Sequence, residues 1–137
     1  MNNSISKLIA AIVLAAITAW AITFFDSNTR LIAGIVIGVP MLIMLIVSRK
    51  QLGKYFAVMP EAKGLMTGGF YSKIRHPMYF FLDMTLLGAI LIAGFWWLLI
   101  VWLAIVILQV IQSAREEKVL HAAFGGKYEE YKKGTWF

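Results

Sequence analysis

The fold is decided by the stretch Pro77-Met-Tyr-Phe-Phe-Leu-Asp-Met-Thr-Leu-Leu-Gly-Ala-Ile-Leu-Ile-Ala-Gly94, which continues as Phe95-Trp-Trp-Leu-Leu-Ile-Val-Trp-Leu-Ala-Ile-Val-Ile-Leu-Gln-Val-Ile111. Two apolar runs, Met78 to Ala93 and Phe95 to Ile111, meet at Gly94 with almost no linker. That spacing predicts a tight hairpin whose two arms cross a bilayer. Two further runs, Leu8 to Phe25 and Leu31 to Val47, lie upstream, and Asp83 is the only charge within any of the runs. Each approaches the roughly 20 residues that a membrane-crossing helix needs. The chain has 137 residues, 61% hydrophobic and 15% charged, with mean hydropathy +0.78. No soluble domain of this size needs so much apolar material. The expectation is one all-α, polytopic membrane domain over residues 1–137, with transmembrane helices at about 8–25, 31–47, 78–93 and 95–124, a loop over 48–77 and a tail over 125–137.

Lys7 ahead of the first run and the Ala19-Trp20-Ala21 triplet resemble the marks of a cleaved leader. The apolar core outlasts the roughly 7 to 15 residues of such leaders, and Trp20 with Phe24-Phe25 suits an interface, so a retained helix is expected.

Charge sets the orientation. Lys7, the middle loop (Arg49, Lys50, Lys54, Lys63, Lys73, Arg75) and the tail (Arg115, Lys118, Lys127, Lys132, Lys133) hold every basic residue except Arg30. By the positive-inside rule both termini and the middle loop are cytoplasmic, as in a multi-pass protein of a bacterial or archaeal inner membrane. The net charge of +6 is then a topology signal and an affinity for anionic headgroups of the bilayer. No nucleic-acid partner is expected, because no soluble basic face exists. The lack of cysteine excludes disulfides, thiolate metal sites and a cysteine nucleophile. His76 and His121 are too isolated to predict a metal.

Asp26-Ser27-Asn28-Thr29-Arg30 reads as a short polar turn that makes the first two helices antiparallel neighbours. Gly34 and Gly38 form a close-approach pair, expected to pack on the first helix, with a homodimer interface as the other reading. Pro40 is expected to kink the second helix. Pro60 and Gly68-Gly69 break the middle loop. The pattern Gln109, Gln112, Ser113, Arg115, Glu116, Glu117, Leu120, Phe124 keeps a helical period while turning polar, so the last long helix should outrun the membrane as far as Gly125-Gly126. Lys127 to Lys133, with Tyr128 and Tyr131, can lie on the headgroups or fold back over the loop.

Three constellations could carry chemistry. Arg75-His76-Pro77-Met78-Tyr79 places a basic pair at a proline-started helix N-terminus, where backbone donors and the dipole favour an anion; a plain interfacial anchor is the competing reading. Glu116-Glu117 lies where it can face that motif, although adjacent helical residues point about 100 degrees apart, so at most one should face a pocket squarely. Asp83, one turn past Tyr79, is an intramembrane carboxylate that either serves function or bonds to Arg75 or His76.

Taken together, Leu65-Met-Thr-Gly-Gly-Phe-Tyr-Ser-Lys-Ile-Arg-His-Pro-Met-Tyr79, a hydrophobic hairpin, and then Glu116-Glu117, Leu120, Phe124-Gly125, Tyr128 and Tyr131 resemble the isoprenylcysteine carboxyl methyltransferase and phospholipid methyltransferase superfamily, over the second half of the chain. The resemblance implies an integral-membrane enzyme that moves the methyl group of S-adenosylmethionine onto a lipid or prenylated acceptor. The isoprenylcysteine type leads; phosphatidylethanolamine N-methylation and a non-catalytic scaffold that kept the fold are the alternatives. By motif matching, Gly69, Tyr71, His76, Pro77, Tyr79, Glu116 and Glu117 would bind the cofactor. Arg75 or Arg115 would position a carboxylate acceptor, and Glu117 or Glu116 would take the proton from an amine acceptor. Phe81 stands where many relatives have glycine, and Gln112 where many have arginine. The related sterol reductases bind NADPH, but paired carboxylates would repel its 2'-phosphate.

Overall fold

The computed structural model describes residues 3–53 and 64–136; the expected loop breaker Pro60, with Lys54 and Lys63, lies outside them. The described residues form five α-helices: α1 (Asn3–Phe24), α2 (Ser27–Leu52), α3 (Pro77–Ala93), α4 (Leu98–Phe124) and α5 (Gly126–Lys133), with a 3-10 turn at Gly69–Ser72 before α3. α1, α2 and α4 are long and apolar enough to cross a bilayer. α3 has 17 residues, the lower end of the roughly 17 to 25 that can span one. Large apolar side chains cover the outside of the bundle, Ile32, Val36 and Leu108 among them, as a lipid solvent requires.

Helix ends follow local chemistry. The Asp26 carboxylate accepts hydrogen bonds from the backbone N–H groups of Asn28 and Thr29 and from the Thr29 hydroxyl. This N-cap satisfies donors that would otherwise be orphaned, so α2 starts at Ser27 and the polar turn is shorter than its composition suggests. At the other hairpin Gly94 takes φ 73°, a left-handed conformation that ends α3, and its N–H donates to Ile90 O at 2.9 Å. Phe95, Trp96 and Trp97 are consumed by the reversal, so α4 begins at Leu98, not at Phe95. α2 runs unbroken through Pro40.

The expected pairing of α1 with α2 is not what forms. α2 packs along α3, while α1 packs on α4. The glycines explain the choice: a Cβ on Gly34 would lie 2.5 Å from Gly88 O, and one on Gly88 would lie 2.7 Å from Gly38 Cα. The Gly34–Gly38 pair is thus an internal seam with α3, where backbones touch and dispersion contacts accumulate. On the other side, Ala11 and Ala15 of α1 join Leu87, Ile90, Leu99, Trp102 and Val106 in a buried core.

This arrangement brings the starts of α1 and α3 and the ends of α2 and α4 to one end of the bundle, where the basic residues gather. Replacing Gly88 by alanine should lower the thermal unfolding midpoint in detergent, by the equivalent of about 1–3 kcal/mol of overpacking. Gly126→Ala, with no atom within 4 Å of the new Cβ, should leave it unchanged; equal effects would contradict the seam.

Candidate active site

Proline at the first position of α3 preorganises the turn and holds His76 just outside the helix and Tyr79 just inside. Their rings stack with centroids 5.7 Å apart. Opposite them the polar end of α4 presents both glutamates. Glu116 Oε2 lies 3.5 Å from His76 Nδ1 and Glu117 Oε1 lies 3.4 Å from His76 Nε2. The expectation that only one carboxylate could face the site is therefore corrected: the imidazole sits between them, and each side chain reaches a different ring nitrogen. Glu116 Oε1 also accepts the Tyr79 hydroxyl at 2.6 Å and the Gln112 amide at 3.3 Å. Glu117 pairs with Arg75 Nη1 at 3.4 Å and Lys132 Nζ at 3.8 Å. Two neighbouring negative charges thus share His76 and are otherwise divided between different partners, which is how a partly desolvated carboxylate pair stays tolerable.

Arg75 is the most enclosed of these groups. Its side chain is 8% exposed; Nη1 pairs with Glu117, the guanidinium also meets the Tyr128 side chain, and Nε carries no hydrogen bond. The donors of a buried guanidinium with unfilled valence suit a carboxylate.

α5 folds back over this end. The Tyr131 hydroxyl donates to Tyr71 O at 2.6 Å, and Trp136 N–H donates to Lys73 O at 2.8 Å. Tyr128, on the inner side of the strap, is fully buried. Burial pushes the Tyr128 and Tyr131 phenols up to about 12 each, and it raises Tyr71 as well, so all three remain neutral donors at ordinary pH. Of the two placements open to Lys127–Lys133, the chain adopts the fold back over the loop.

Two cavities adjoin the cluster. One, of about 350 Å³, descends between α1, α3 and α4 with a largely apolar wall that includes His76, Tyr79, Asp83, Trp102 and Gln109. The other, about 570 Å³ and more polar, opens between α1, α4 and α5 and includes Glu117, Lys118 and Lys132. Lys7 and Ser113 border both.

Of the residues expected at the site, Arg75, His76, Tyr79, Glu116 and Glu117 converge. Tyr71 contributes through its backbone carbonyl, and Pro77, fully buried, only starts the helix. Gly69 serves the loop: with φ +57° it packs where a Cβ would lie 2.3 Å from Gln51 Oε1, which accepts the Phe70 N–H at 3.0 Å. Arg115 is exposed and borders neither cavity; with its two neighbours turned inward, the helical rotation directs it outward. Asp83 pairs with neither Arg75 nor His76; its carboxylate faces the Gln109 side chain of α4. Phe81, at the glycine position of relatives, is buried and packs edge-on against Phe70 at 5.1 Å. Lys7, Trp102 and Gln109 were not foreseen as site residues; Lys7 reads in the sequence only as a topology charge. Among the described residues no group of histidine and acidic side chains could hold a metal.

The fold and site define a polytopic helical membrane protein with a roofed polar cluster at one end of its bundle. The family model for phospholipid methyltransferases matches residues 27–127, which takes in α2, α3, α4 and every convergent site residue. The chain belongs to the phospholipid methyltransferase family. No curated protein and no solved structure matches it significantly.

Removing the strap's hydroxyl by Tyr131→Phe should speed amide hydrogen exchange in 126–133 while sparing the long helices, by the roughly 0.5–1.5 kcal/mol of one hydrogen bond. Unchanged exchange in that segment would show that α5 is held by other means.

Proposed function

We propose that this chain transfers a methyl group from S-adenosylmethionine to a lipid-borne acceptor, with the basic end of the bundle in the cytoplasm. The observation that carries the reading is the meeting of two unlike cavities across one charged cluster. An amphiphilic cofactor needs polar walls, a lipid needs apolar ones, and transfer needs the two beside each other.

The residues fit the cofactor. Arg75, enclosed and paired with Glu117 at 3.4 Å, lines neither cavity and positions that carboxylate. Glu117, on the wall of the polar cavity, suits the ammonium or the ribose hydroxyls. His76 and Tyr79 border the apolar side and separate cofactor from lipid. When bound, S-adenosylmethionine supplies a methyl carbon already activated by a sulfonium, so the protein's work is alignment and exclusion of water. The α5 strap covers the basic end, and Lys7 and Ser113 line both cavities. Arg115 is left without a part in this scheme.

Calorimetry of the detergent-purified protein should detect S-adenosylhomocysteine and not NADPH. Glu116→Gln and His76→Asn should each weaken that binding by about ten- to a hundredfold, the ~1.5–3 kcal/mol of a charged hydrogen bond, with unfolding midpoints near wild type. No binding by the wild type would sink the proposal and favour a non-catalytic scaffold.

A further inference from the structure

The wall of the polar cavity carries more basic than acidic groups. Its basic residues are Lys7 of α1, Lys118 and His121 of α4 and Lys132 of α5, and its acids are Glu117 and Glu129. His121 meets Glu129 at 3.1 Å and Lys132 meets Glu117 at 3.8 Å, while Glu117 also holds Arg75 and His76. Among the described residues, Lys7 and Lys118 make no such close pair with an acid. Lys118 is exposed, whereas Lys7 is half-buried and lines both cavities. Partial burial strips water from the Lys7 ammonium, and a cation in that position calls for an anion.

The surroundings specify which anion. Glu117, Arg75 and Glu116 are the charged groups that act on Lys7, and Glu117 shares the polar cavity's wall with it. Opposite charges therefore border one space from two helices. A phosphate dianion there would meet Glu117 and Glu129 as well as the lysine. An α-amino-acid zwitterion suits both signs, its ammonium matching Glu117 and its carboxylate matching Lys7. Ser4, three residues before Lys7 on the same face of α1, lines the same cavity and offers a hydroxyl donor for a second carboxylate oxygen. Arg75 borders neither cavity and is occupied with Glu117, which leaves Lys7 for the ligand.

We infer that Lys7 binds the carboxylate at the amino-acid end of the cofactor, with Glu117 at its ammonium. The assignment rests on the proposed methyl transfer. Lys7 lies outside residues 27–127, where the family model matches, so α1 supplies a binding residue that the matched segment does not contain. α1 then serves the site as well as the packing of α4: one turn of its basic end selects a ligand that carries both charges of an amino acid.

The test uses the full chain in detergent. Calorimetry compares S-adenosylhomocysteine with its decarboxylated analogue, which keeps the ammonium and lacks the carboxylate, and dioctanoyl phosphatidylglycerol is titrated in parallel. The wild type should bind S-adenosylhomocysteine at least about tenfold more tightly than the analogue, the scale of one charged hydrogen bond. Lys7→Met should remove most of that preference by weakening S-adenosylhomocysteine alone, and Lys7→Arg should restore much of it. Equal affinity of the wild type for the two nucleosides would overturn the assignment without any variant having to fold. An equal loss for both nucleosides in Lys7→Met would overturn it in favour of a structural role. Loss of phosphatidylglycerol binding in Lys7→Met, with S-adenosylhomocysteine unaffected, would overturn it in favour of a lipid phosphate. Absent binding of either nucleoside to the wild type would instead defeat the transfer reading itself, a result separable from the comparison between them.

Discussion

Two adjacent carboxylates at the end of an apolar helix must find cations or hydrogen-bond donors, and in this chain the start of α3 supplies them. His76 stands between Glu116 and Glu117 at 3.5 and 3.4 Å, Tyr79 binds the first and Arg75 the second. These contacts tie the start of α3 to the end of α4, so polar pairing meets at one end of the two helices. At the other end the Gly94 reversal joins the two helices directly. Between these fixed ends the helices have little freedom to slide.

The remaining packing keeps space beside that pair. The glycine seam draws α2 against α3 on one flank, and the small residues Ala11 and Ala15 let α1 lean on α4 on the other. The apolar cavity lies between α1, α3 and α4 toward the basic end. It reaches the charged cluster at its mouth and passes Asp83 on the way. An apolar cavity and a more polar one therefore share a wall that includes Lys7 and Ser113. The α5 strap, hydrogen-bonded to the loop before α3, covers the cluster on its outer side.

Much of this was legible in the residues. The apolar runs, the Gly94 reversal, the helical extension of α4 and the convergence of Arg75, His76 and Tyr79 with the glutamates all follow from spacing and chemistry that are local to each segment. Helix pairing was not, because a glycine pair announces close approach without naming its partner, and Gly88 lies inside a run that shows no other small residue at the right interval on that face. Arg115 was misplaced for a related reason: three consecutive charges on a helix cannot all face inward, and sequence alone does not say which is turned out. Gln109 and Trp102 looked like an ordinary polar break and an ordinary core aromatic until the cavity placed them opposite Asp83.

The proposed methyl transfer requires the cofactor to bind at the cluster between α3 and α4. Irradiating the protein with methyl-labelled S-adenosylmethionine, followed by peptide mapping of the label, examines this most directly. Label confined to the segment from Tyr71 to Tyr79 and to the end of α4 from Gln112 to Phe124, and competed away by S-adenosylhomocysteine, is the predicted result. Label in α2 or in the Gly94 hairpin, or none that S-adenosylhomocysteine displaces, would contradict it.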